Sequence, residues 1–144
     1  MVAVGLRPSR LSHQLITETG EFGLNIPTSE QVTAMDFCGI VSGRDYDKFA
    51  ECGFTPAPAS KLKFAPLIAE CPVSLECKVR QVVSLGSHDL FIAEIVAVSA
   101  EESCIGQNRI DPLAVKPVSY AGGTYFGLGE MVARGGVGKQ MKTK

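Results

Sequence analysis

Apolar and polar residues alternate most regularly between Val73 and Leu85. Val73, Leu75, Cys77, Val79, Val83 and Leu85 share one parity, and Ser74, Glu76, Lys78, Arg80 and Ser84 share the other. A period of two predicts a strand with one buried face. Gly86 to Asp89 then supplies a turn, and Leu90 to Val98 returns as a strand apolar on both faces apart from Glu94, so the two runs predict a long β-hairpin. Two shorter strands are expected nearer the start, Val2–Leu6, bounded by Pro8, and Glu21–Ile26, which ends at Pro27. Between them, Ser9 to Glu18 carries Leu11, Leu15 and Ile16 on one side and stops at Gly20, the pattern of an amphipathic helix. Thr28-Ser29-Glu30-Gln31 has capping-box spacing and predicts a second helix through Val32, Met35 and Asp36 toward Cys38. A third short helix is expected over Asp45–Cys52, closed by Gly53. Phe54 to Pro72 carries four prolines and reads as a loop, and the region after Glu101 has weak periodicity.

Strands outnumber helices, and the helices are short. This predicts a mainly β protein, an antiparallel sheet or barrel with short helices packed outside it, rather than a βαβ nucleotide-binding fold. The visible strands alone would make a small sheet with exposed edges, which a partner subunit or a further N-terminal segment would have to cover.

The 144 residues suit one domain, expected over residues 1–130, with a basic flexible tail over 131–144 (Arg134, Lys139, Lys142, Lys144). Hydrophobic residues make up 45% of the chain and charged residues 20%, which excludes a disordered polypeptide. A net charge of −1 argues against a nucleic-acid partner, whose signature is an excess of Lys and Arg. No apolar run approaches the roughly 20 residues that cross a bilayer, so no membrane association is expected. Cys38, Cys52, Cys71, Cys77 and Cys104 form no CxxC pair, and an odd number without a leader sequence suits reduced thiols in the cytoplasm. Only His13 and His88 could join them as metal ligands, and no metal site is expected.

Candidate chemistry concentrates in Arg7-Pro8-Ser9-Arg10-Leu11-Ser12-His13, between the first strand and the first helix. First-turn N–H groups there lack intrahelical partners and suit an anion, to which Arg7 and Arg10 would add charge and Ser9 and Ser12 hydroxyl donors. The alternative is that Ser9 or Ser12 simply caps the helix, the commoner use of a hydroxyl in that place. Lys48, in the basic stretch Ser42 to Phe49, could reach the same anion or belong to a solvated surface helix. His88, beside Asp89 at the hairpin tip, could orient a ring or move a proton, or be an exposed turn residue. Tyr120 to Phe126 is glycine-rich but is not read as a dinucleotide loop, because no strand precedes it.

The order of these motifs (VAVGLRPSRLSHQLITETGEFGLNIP, DFCGIVSGRDYDKF, APLIAECPVSLECKV, LGSHDLFIAEIVAV and YAGGTYFGLGE) resembles the flavin reductase-like family, and within it the flavoredoxin branch. The likeness runs from about Val2 to Glu130. It implies an antiparallel FMN-binding split β-barrel that works as a homodimer with the flavin near the interface. It further implies that Ser9, Arg10 and Ser12, in the loop and helix start spanning Arg7 to Ser12 and including Leu11, contact the flavin phosphate. Lys48 becomes a further phosphate contact, and His88 a catalytic residue near the flavin or the nicotinamide. The activity implied is NAD(P)H-dependent flavin reduction, with NADH or NADPH as donor. Its rivals are a flavoredoxin-type electron carrier serving a redox protein partner and a truncated, cofactor-free interaction module. Family members carry several tens of residues ahead of the strand matching Val2–Leu6, so a missing N-terminal segment is expected here.

Overall fold

The computed structural model describes residues 1–143. In chain order come β1 (Val2–Leu6), α1 (Leu11–Thr19), β2 (Glu21–Ile26), α2 (Val32–Ile40) and α3 (Lys48–Cys52). The two-residue strands β3 (Pro56–Ala57) and β4 (Leu67–Ile68) follow, then the long strands β5 (Val73–Ser84) and β6 (Asp89–Ala100). The C-terminal part holds β7 (Ile105–Gly106), β8 (Arg109–Ile110), α4 (Pro112–Val115), β9 (Val118–Ala121) and β10 (Thr124–Gly127). Among the described residues, no helix is long and apolar enough to cross a membrane. The basic tail winds into a 3-10 segment over Val137–Thr143, with Arg134 and Lys139 exposed, and Lys144 lies outside the described residues.

The main sheet is antiparallel in the order β1-β6-β5-β2, a half-barrel built on the expected hairpin. Phe22, Cys77 and Ala93 form its buried centre, with Val2, Val4, Ile16, Leu24, Leu75, Val79 and Ile95 packed around them. Of the expected apolar stripe of α1, Ile16 packs against the face that β1, β2, β5 and β6 share, while Leu15 is 48% exposed. A second cluster joins Val73 to Cys104 and Val115 and anchors the C-terminal part.

Two features depart from the alternation in β5. Ser74 and Glu76, on the polar parity, are each only 4% exposed. The proline-rich segment lies across them: Glu76 accepts N–H bonds from Ser60 at 2.8 Å and Lys61 at 2.6 Å, and Ser74 Oγ donates to Asn25 Oδ1. Beyond them, Arg80 is an extra residue opposite β6, so Val82 pairs with Phe91 and Val83 with Leu90. That bulge reverses the parity and moves Val83 and Leu85 off the face expected for them.

Helix boundaries follow their caps. The Gln31 side chain accepts from the Thr28 N–H at 2.8 Å, as the capping box requires, although a 3-10 turn over Ser29–Gln31 precedes α2. The third helix begins at Lys48 rather than Asp45, because the Asp47 carboxylate accepts from the Phe49 and Ala50 N–H groups and makes Asp47 the N-cap. The glycine-rich stretch Tyr120 to Phe126 is itself a hairpin, β9–β10, turned through Gly122 (φ 58°) and Gly123 (φ 80°). Two successive left-handed residues give the tight turn whose twist suits paired strands. Tyr125 Oη donates to Asp36 Oδ1 at 2.6 Å and ties this hairpin to α2.

Candidate functional site

Between Leu6 and Leu11 the chain reverses from strand to helix, and an Arg10 N–H bond to Arg7 O at 3.0 Å closes the turn. Arg10 is the N-cap of α1, with extended backbone (φ −80°, ψ 141°) and no side-chain cap. The capping alternative for Ser9 and Ser12 is therefore not what the fold uses. Among the described residues, no protein acceptor takes the N–H groups of Leu11 and Ser12, which leaves two donors at the positive end of the helix dipole.

These groups form one wall of an open cleft of about 1140 Å³. Arg7, Ser9, Arg10, Leu11 and Ser12 line it from one side and Lys48 from the other, so six of the seven expected site residues meet in one place. The Lys48 ammonium donates to the Cys38 carbonyl at 2.6 Å, across the C-terminal end of α2, where cations are favoured. His88 is set apart. It borders a smaller hollow of about 610 Å³ with Gly5, Leu6, Arg7, Arg10 and Tyr120, and its Nδ1 lies 3.0 Å from Ser87 Oγ. Leu6, Arg7 and Arg10 border both hollows and form the ridge between them.

Two residues matter that the sequence did not assign to the site. Arg44 crosses from the α2–α3 connection to the start of α1, donating to Ser9 O at 3.3 Å and Gln14 Oε1 at 3.1 Å. It adds a third guanidinium at the cleft, and the Gly43-Arg44 pair was its only sequence signal. His13, two residues into α1, reaches the first residue of β6, with Nε2 2.7 Å from Asp89 Oδ2 and its ring edge-on to Phe91 at 5.2 Å. This contact fixes the helix start against the sheet and holds the Asp89 carboxyl below its usual range, with a further hydrogen bond to Ser84. Nothing in the local spacing joins residues 76 positions apart.

The sequence profile of the flavin reductase like domain matches residues 1–129. The crystal structure of flavoredoxin from Methanosarcina acetivorans superimposes with a TM-score of 0.88 at 31% identity, covering 96% of this chain and 75% of that one. Flavoredoxin of Desulfovibrio vulgaris (Miyazaki F) gives 0.87 at 33% identity, covering 95% and 75%. The NADH-dependent flavin reductase StyB of Pseudomonas fluorescens is 30% identical over 71% of this chain and 55% of its own length. The chain spans about half the length of the curated relatives it matches. Profile, sheet order and both superpositions agree, and the chain belongs to the flavin reductase-like family.

Proposed function

We propose that the cleft binds FMN through its phosphate and that the protein is an NAD(P)H-dependent flavin reductase. The observation that carries this reading is the donor set at the head of α1. Two free N–H groups, the Ser9 and Ser12 hydroxyls and the Arg7 and Arg10 guanidinium groups converge on one opening, and neither arginine has a carboxylate partner among the described residues. Cationic donors without an internal anion fit a phosphate dianion, and a cleft of this volume accommodates a ligand the size of a flavin nucleotide. Bound there, FMN would supply a two-electron acceptor for hydride from a reduced nicotinamide.

The chain's own residues would do the rest. Leu11 and Ser12 N–H groups orient the phosphate, Arg7 and Arg10 neutralise it, and Arg44 holds the Ser9 carbonyl so that the turn keeps its shape. Lys48 keeps two further N–H donors beside the one given to the Cys38 carbonyl, and these would serve as its phosphate contact. His88, across the Arg7–Arg10 ridge, is assigned to the nicotinamide side rather than to the phosphate. A second reading, an electron carrier of flavoredoxin type, is favoured by the two high-scoring superpositions.

Titration of the protein with FMN, followed by flavin fluorescence, tests the site. Ser12→Asp sets a carboxylate against the phosphate and is expected to weaken binding about a hundredfold or more, whereas Ser12→Ala keeps the N–H donor, loses only the hydroxyl bond and is expected to weaken it about tenfold. Equal affinity in Ser12→Asp and wild type would refute the placement. Anaerobic NADH or NADPH separates the two activities: rapid bleaching of the bound flavin supports the reductase, and a flavin inert to both supports the carrier.

A further inference from the structure

Three of the five cysteines, Cys71, Cys77 and Cys104, are buried. Burial pushes the Cys71 thiol up to about 11, and Cys77 is raised for the same reason. Burial raises Cys38 as well, and what sets Cys38 and Cys52 apart is their exposure and their pairing. Both are half-buried, and their sulfurs lie 3.7 Å apart although they belong to different helices, the last turn of α2 and the last residue of α3. Cys52 Sγ also points at the Ala34 carbonyl (3.7 Å), which keeps it on the flank of α2. Cys38 lines the open cleft, and Cys52 stands behind it.

We propose that Cys38 and Cys52 are a disulfide-exchange site, a reversible dithiol that reacts with small-molecule disulfides of the glutathione type entering through the cleft. The two sulfurs are already in van der Waals contact, so side-chain rotation and a small approach of the two helix ends would bring them to the bond length of about 2.0 Å. The reaction balances without a further reagent. The Cys38 thiolate attacks one sulfur of glutathione disulfide, that S–S bond breaks, and one glutathione leaves with the proton Cys38 gave up. The Cys52 thiolate then attacks the Cys38 sulfur, the mixed disulfide breaks, and the second glutathione leaves as a thiol. The protein loses two electrons and two protons, and glutathione disulfide gains both.

Position gives this chemistry a structural consequence. The residues between the two cysteines include Ser42, Gly43, Arg44 and Lys48, so the bond would close a loop that forms the far wall of the cleft. Burial and the neighbouring Cys52 raise the Cys38 thiol, and the charge of the Lys48 ammonium, which grips the Cys38 carbonyl, only partly offsets them, so exchange should quicken as the medium is made alkaline. Joining α2 to α3 would hold Arg44 and Lys48 at fixed places in that wall. The inference stands on the thiol pair and does not depend on the ligand assigned to the cleft.

Incubating the whole protein in glutathione buffers of graded redox ratio tests it. Expected is the loss of two of the five titratable thiols under oxidising ratios, peptide mapping that links Cys38 to Cys52, and full recovery with dithiothreitol. Cys52→Ser should stop at a glutathione adduct on Cys38, and the oxidised wild type should show slower amide exchange over residues 41–47. Five free thiols at every ratio, a bond involving Cys71, Cys77 or Cys104, or an adduct on the wild type that never resolves would each overturn the proposal. Because mapping is done on the wild type, a variant that fails to fold does not shelter it.

Discussion

Glu21 and Glu76 are 7% and 4% exposed, yet both stay ionised. Burial acts to raise each carboxyl, and it is outweighed by main-chain donors: Phe64, Lys63 and Ala65 for Glu21, with Lys78 nearby, and Ser60, Lys61 and Leu62 for Glu76, with the Ser60 hydroxyl. The net displacement is downward from 4.5, so the unfolded chain takes up protons first as the medium is acidified. This stabilisation is complete above about pH 4.5 and is lost as pH falls through the lower folded values. Urea midpoints measured from about pH 7 to about pH 3 should therefore drop below about pH 4.5. Glu76→Gln should flatten that dependence and cost about 2 kcal/mol at neutral pH, since its NH₂ group faces donors. Gly23 sits beneath the same loop, where a Cβ would lie 2.8 Å from Pro66 O and 3.0 Å from Leu67 Cδ2. Gly23→Ala is expected to lower the unfolding free energy by about 1–3 kcal/mol in denaturant titrations, with the loop displaced from the sheet.

At the level of elements, the candidate site depends on how α1 and α2 are held. The head of α1 bears the free donors, and His13 is its tether to β6. His13→Ala removes that bond and the ring contact with Phe91. Hydrogen exchange should then quicken about tenfold in α1 while the amides of β5 and β6 keep their protection. On α2, the Asp36 carboxylate accepts from Tyr125 and, with the burial of the phenol, pushes Tyr125 up to about 12. A spectrophotometric titration should show one of the three tyrosines ionising last, and Asp36→Asn should return it toward the ordinary phenol range. If all three ionised together in the wild type, the β9–β10 hairpin would not be docked on α2 as described.

Across the whole molecule, apolar surface is left over. No residue of α2 is fully buried despite its apolar sequence, and Ile40, Val98, Leu128 and Met131 are exposed. We propose that a second copy of the chain covers this surface, and sedimentation at micromolar concentration should report a dimer; a clean monomer would remove the shared-interface arrangement. Much of the fold was legible along the chain because its signals are local. The period of two drew the β5–β6 hairpin, Gly20 and Gly53 marked the ends of α1 and α3, and a strand running into a helix marked Arg7 to Ser12 as a turn with unpaired N–H donors. Those features follow from backbone geometry and from donors that any helix start leaves unpaired, and both are encoded by residues adjacent along the chain. Tertiary structure alone decided that Glu76 is buried, that the Arg80 bulge reverses the faces of β5, that Arg44 and Lys48 join the cleft and His88 does not, and that Cys38 meets Cys52. Each of these is a contact between segments distant along the chain or a shift in strand pairing, and neither leaves a periodic or capping signal at the residues that make it.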